Sequence, residues 1–223
     1  TEAMFARDEP PDIILSQITD QIGEIVTPYL SSFMEKWPSI REELLRYRDR
    51  LERIWGSCSQ DVQNLMDELA FFYSGSIQVF PVMPFFREWP RSNPLSMPAN
   101  PWTDKEILEF LVHEILHRTT EVDHPKSLWH YLDMLFIMRK VNREQRFLIQ
   151  HALIYVASSW IASHALKEEF TIMKLIRREF DLERCIEMEH YMHSIFAVFS
   201  SMERKEERNP VALAEEIAAC CIP

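Results

Sequence analysis

Apolar positions repeat along most of this chain with the period of an amphipathic helix, and the repeat fails in two informative stretches. In 146–164, RFLIQHALIYVASSWIASH, residues are apolar or small on nearly every side, the pattern of a helix buried all round. Ala152, Ala157, Ser158, Ser159 and Ala162 are small enough to let neighbouring helices come close. Gln150, His151 and the serines interrupt the run short of the about 20 apolar residues that a bilayer crossing needs, so this stretch is expected as the central rod of a helical fold. In 76–102 the period disappears. Pro81, Pro84, Pro90, Pro94, Pro98 and Pro101 alternate there with Phe80, Phe85, Phe86, Trp89 and Trp102, which predicts an extended segment pinned by its aromatics, with one short strand over 76–82.

Helices are expected on both sides of the extended segment. Ile13, Ile14, Ile18, Ile22, Ile25 and Val26 predict a helix from Asp12 that Pro28 kinks or ends. Ser39, with Glu42 three residues on, reads as the N-cap of a second helix whose face is Ile40, Leu44, Leu45, Leu51 and Ile54. Val62, Leu65, Met66, Leu69 and Phe72 predict a third over 59–73. Beyond Thr103, an N-cap with Glu106 in capping-box position, helices are expected at 104–119, 126–139, 142–166, 169–178 and 181–199, with one more after Pro210. The organisation implied is an N-terminal helical extension over 1–98, a five-helix unit over 99–201 and a tail over 202–223, all-α in class.

Composition narrows the function. The only glycines are Gly23, Gly56 and Gly75, so the last two thirds of the chain hold no Gly-rich phosphate loop, which excludes a Rossmann or P-loop nucleotide enzyme. A formal net charge of -11 offers no basic field for a phosphate backbone or an anionic membrane; neither nucleic acid nor membrane is expected as a direct partner. Cys58, Cys185, Cys220 and Cys221 lack paired CxxC spacing and fit a reducing, intracellular setting, nuclear or cytoplasmic.

Two patterns suggest metal chemistry. His113-Glu114-Ile115-Leu116-His117 is an HExxH on a predicted helix, in which two histidines one turn apart would grip zinc and Glu114 would activate water. Asp123 sits where a last ligand could fall, but Thr120 occupies the position where the turn needs glycine, and a zinc peptidase needs a sheet edge to hold peptide. Alternatively Glu114-x-x-His117 and Glu187-x-x-His190 form the paired ExxH of a di-iron bundle, with Glu68 and Glu169 as further carboxylates. Against both, Ile107, Leu108, Leu111, Val112, Ile115 and Leu116 mark a core face that leaves His113, Glu114 and His117 outward. The expectation is therefore no catalytic residue, no cofactor and no bound metal.

The five-helix segment resembles a cyclin box. The strings that carry the resemblance are Lys105-Glu106-Ile107-Leu108, Tyr131-Leu132-Asp133, Tyr155-Val156-Ala157-Ser158 and Met188-Glu189-His190, which keep the family's order and spacing over roughly 103–200. The resemblance implies a cyclin-like box around a central buried helix and a non-catalytic regulator whose partner is a cyclin-dependent protein kinase. It further implies a structural ion pair between Lys105 and Asp133, and kinase contacts at Glu189, Trp160 and Val198. Ser159 stands where the family carries a lysine, so half of the polar clamp on the kinase is replaced.

Overall fold

The computed structural model describes residues 11–73, 78–82, 91–92, 95–122, 124–172, 181–202 and 209–222. Six helices and three short strands are found among them: α1 (Pro11–Glu68), β1 (Phe80–Val82), β2 (Arg91–Ser92), β3 (Leu95–Pro98), α2 (Asp104–Thr119), α3 (Leu128–Met138), α4 (Arg143–Leu166), α5 (Leu182–Met202) and α6 (Pro210–Cys221). None of these helices is long and apolar enough to cross a membrane. The fold is mostly helical, as expected, with a small sheet added.

The N-terminal region departs from the reading of three helices. α1 runs 58 residues without a break, with Pro28 and Pro38 inside it. Each proline removes one backbone N–H from the helical ladder, and beside each a hydroxyl bonds back to the preceding turn: Thr27 Oγ1 donates to Gly23 O at 2.6 Å and Ser39 Oγ to Lys36 O at 2.9 Å. Ser39 thus acts within a helix and not as an N-cap.

The chain divides into two compact units, 1–46 and 47–223. In the described part of the first, Met34 and Trp37 are exposed. In the second, α1 contributes the buried stripe Tyr47, Leu51, Ile54, Cys58, Val62, Met66 and Leu69, so residues 47–98 share one core with the expected box. Arg50 fastens this part of α1 to the first turn of α2: Nε and Nη2 donate to Asp104 Oδ1 at 2.8 and 2.6 Å, and Nη2 also reaches Trp102 O at 2.7 Å. That hydrogen bond holds the Asp104 carboxyl below its ordinary range.

The described residues of the proline-rich segment include three short strands, which form a sheet in the order β1-β3-β2, with β1 parallel and β2 antiparallel to β3. The strand expected over 76–82 is observed at Phe80–Val82, and the pairing partners were not foreseen. β3 is buried throughout.

α4 is the central rod. Leu148, Ile149 and every residue from Ala152 to Ser163 are buried, with α2 and α5 packed along it and α6 against α3 and α5. The Thr103–Glu106 capping box forms, and Asn142 caps α4. Of the helix expected at 169–178, residues 169–172 are not helical and the remainder lies outside the described residues. With glycine so scarce, α1, α3 and α4 end on left-handed Ala70, Lys140 and Lys167. Each of these ends closes with a six-to-one bond, Phe71 N to Met66 O, Val141 N to Phe136 O and Glu168 N to Ser163 O, at 2.8 to 2.9 Å.

Candidate functional site

Four groups of side chains carry candidate chemistry: two polar clusters between α2 and α4, the residues matched to kinase contacts, and one cavity. The first cluster forms where α2 begins. Glu109 is 4% exposed and is hydrogen-bonded to Ser159 of the central rod, with Lys105 Nζ 3.9 Å away. Burial pushes the Glu109 carboxyl up to about 7, against the pull of Lys105 and the bond from Ser159. Lys105 Nζ also donates to Glu169 O at 2.7 Å and Thr171 Oγ1 at 2.9 Å, tying α2 to the segment after α4.

The ion pair expected between Lys105 and Asp133 is therefore absent. Asp133, on α3, instead faces Arg146 Nη1 at 3.8 Å and Gln150 Nε2 at 3.4 Å, both on α4. Each charge has found a nearer partner, because Lys105 reaches past α4 toward 169–171 while Asp133 lies against the first turns of α4.

The second cluster is the HExxH. The outward placement expected for it is overturned: His113 and Glu114 are 5% and 8% exposed, because α4 and its neighbours cover α2 on nearly every side from Ile107 to Leu116. His113 Nε2 and His117 Nε2 lie 3.2 Å apart, His113 packs edge-on against Tyr155, and His151 lies over His117 with ring centroids 5.0 Å apart. His151 Nδ1 is 3.3 Å from Phe147 O, to which it donates.

His113 Nδ1 is buried without a hydrogen-bond partner. A bare lone pair is cheaper to bury there than an unmet N–H, which assigns the His113 proton to Nε2, donating to His117 Nε2. Burial drives all three imidazoles down, His117 to about 4 and His113 well below its ordinary value, so the cluster is neutral near pH 7. Two neutral rings sharing one proton account for the short contact. Among the described residues no three His, Cys, Asp or Glu side chains converge to hold a metal ion. Asp123, the suggested further ligand, lies outside them. In the alternative di-iron set, Glu187 accepts the Tyr191 hydroxyl at 2.7 Å and His190 is exposed on α5.

The residues matched to kinase contacts separate into interior and surface. Trp160 is 0% exposed, stacked on His164 at 4.0 Å and edge-on to Phe199 at 5.9 Å. Ser159 is equally buried and is engaged by Glu109. Neither can touch a partner. Glu189 and Val198 are partly exposed on α5, but they stand nine residues apart, about two and a half helical turns, and so flank opposite sides of the helix. The structure does not bring the four together.

What it does bring together is Glu189 with Leu182, Ile186 and His193, spaced to share one helix face. Leu182 is 75% exposed and Ile186 61%, and His193 is exposed. Arg184 bonds Glu144 at 2.8 Å, which seats the first turn of α5 beside the first turn of α4. Phe147, in that turn, and Ile137 and Met138, just before it, are exposed as well. Nothing in the periodicity of α5 singled out this apolar end, since its buried face is apolar too.

The cavity, about 440 Å³, lies among the second half of α1, the sheet and α2, walled by Leu51, Trp55, Val62, Met66, Leu111 and Ile115. Arg48 and Glu52 also border it, 3.6 Å apart, with Arg48 bonded more closely to Asp49 at 2.6 Å.

No protein family, curated protein or solved structure matches this chain.

Proposed function

We propose that this chain is a non-catalytic, cyclin-like regulatory protein that binds a cyclin-dependent protein kinase through the outward face of α5. The observation that supports this reading is Glu189: the acid that the cyclin resemblance assigns to kinase contact is partly exposed, on the helix face that carries the exposed Leu182 and Ile186. Large apolar side chains clustered at a surface with polar neighbours mark a protein-docking site, and Ile137, Met138 and Phe147 are further exposed apolar side chains at the same end of the helices.

A regulator of this kind acts by differential affinity. Binding the kinase conformation whose regulatory helix is turned inward shifts the population toward that conformation, by no more than the difference in affinity for the two states. Trp160 and Ser159 act from the interior, by holding α4 in place. With Ser159 replacing the family's lysine, the polar contribution falls to Glu189, and the apolar end supplies the rest.

The test is titration of the purified protein against a panel of cyclin-dependent kinases by calorimetry, with Glu189→Arg in parallel. Saturable binding to at least one kinase, weakened about tenfold or more by the charge reversal, a loss of about 1.4 kcal/mol, is expected. Binding to none of them would overturn the reading.

A further inference from the structure

In the last turn of α6, Cys220 and Cys221 place their sulfurs 3.6 Å apart. Adjacent residues on a helix point about 100° away from each other, so two side chains this close have turned toward one another. Cys220 is exposed and its Sγ also reaches Ile217 O at 3.2 Å, whereas Cys221 is 5% exposed. The other cysteines, Cys58 and Cys185, are 3% and 4% exposed, and none of the four is held in a disulfide. One thiol of this molecule is thus open to solvent and has a second within reach.

We infer that Cys220 and Cys221 form a vicinal dithiol that exchanges with low-molecular-weight disulfides, Cys220 attacking and Cys221 resolving. The hydrogen bond between the two sulfurs favours this division: it lets Cys220 give up its proton more readily than an ordinary thiol, while Cys221 holds its own more tightly. In the first step the Cys220 thiolate attacks one sulfur of the disulfide, the disulfide bond breaks, and one small thiol leaves carrying a proton. In the second, Cys221 loses its proton, attacks the Cys220 sulfur and expels the other small thiol. Two protein thiols are oxidised by two electrons and one disulfide is reduced to two thiols.

The closed form must disturb α6. Neighbouring Cα atoms are about 3.8 Å apart, less than the about 4.4 Å at which ordinary disulfides begin, so closing the ring distorts the peptide between them. The last turn carries the bond from Ile222 N to Ala218 O at 3.0 Å, and Ala218 O also accepts Arg139 Nη1 at 2.9 Å from the end of α3. Oxidation therefore loosens the anchoring of α6 on α3, and the strain makes the bond easy to reduce again.

The test is intact-mass spectrometry of the whole protein in mixtures of reduced and oxidised glutathione, followed by peptide mapping. Wild type should pass through a one-glutathione adduct and end two hydrogens lighter, both changes mapping to the peptide with residues 220 and 221. Cys221→Ser should stop at the adduct, and Cys220→Ser should react about tenfold more slowly or not at all. Reducing agent should restore the original mass. The inference is overturned if wild type and Cys221→Ser reach the same end product, or if Cys58 or Cys185 reacts as fast as Cys220.

Discussion

α4 and α5 pack along one another, and the cyclin resemblance assigns kinase contacts to both, yet the residues assigned on α4 are closed to any partner. α4 is covered on all sides from Ala152 to Ser163, so Ser159 and Trp160 serve the core. α5 buries one stripe, Cys185, Met188, Tyr191, Met192, Ile195, Phe199 and Met202, and leaves Leu182, Ile186, Glu189 and His193 on the opposite and flanking surface. A matched string locates a residue along the chain. Whether that residue can touch a partner depends on what its neighbours cover, and here they cover α4 completely from Ala152 to Ser163.

The largest test of this contrast is Trp160→Ala. It should destabilise the fold by about 3–5 kcal/mol, as expected for a fully buried Trp, read by denaturant unfolding; a loss below about 1 kcal/mol would mean that the ring is not in the core.

Next in size is the pH dependence of Glu109. Burial raises its carboxyl to about 7 from an ordinary 4.5, so the folded state keeps a proton that the unfolded chain has lost. Stability that is present at low pH is then lost as the pH rises from 4.5 through 7, about 3 kcal/mol in all. Glu109→Gln should remove that slope and be the more stable protein at pH 8. The histidine cluster works in the other direction: with His117 lowered to about 4, its contribution is present above pH 6.5 and is lost as the pH falls toward 4. The same helix, α2, thus meets α4 through one cluster that resists alkali poorly and another that resists acid poorly. Unfolding free energies of wild type and Glu109→Gln across pH 4.5 to 8 would reveal this, and parallel curves would refute it.

Ala157→Leu, at a position with 0% exposure on α4, should cost about 1–3 kcal/mol through overpacking. Lys167→Gly should stabilise by about 0.5–1 kcal/mol, because Lys167 closes α4 in a left-handed conformation with φ of 57° that glycine adopts without strain. Thermal melts of both variants provide the check, and a stabilising Ala157→Leu would contradict the close packing around the rod.

Much of the fold can be read from local patterns, since the forces responsible are local. The rod at 146–164, the cap at Thr103 and the helix at the Pro210 end of the tail follow from residue type and spacing, and the structure has them. Pro28 and Pro38 mislead because the loss of one backbone bond does not end a helix when the flanking turns persist. The burial of His113 and Glu114 could not be read from α2 alone. Its apolar face predicts one buried side, but α4, α1 and the segment near 169–171 cover it from several directions. Lys105 and Asp133 illustrate the same limit for charges: Glu109 lies one turn from Lys105 on the same helix, but Glu169, Thr171, Arg146 and Gln150 become neighbours of these charges only once the chain is folded.

The central claim is that the outward face of α5 binds a cyclin-dependent kinase, and the affinity of Ile186→Asp for a kinase that binds wild type tests it most directly. Ile186 is 61% exposed, so the substitution should change stability by no more than about 0.5 kcal/mol, while a carboxylate placed in an apolar contact should weaken binding by about 2 kcal/mol or more. Unchanged affinity in a variant that melts like wild type would contradict the claim.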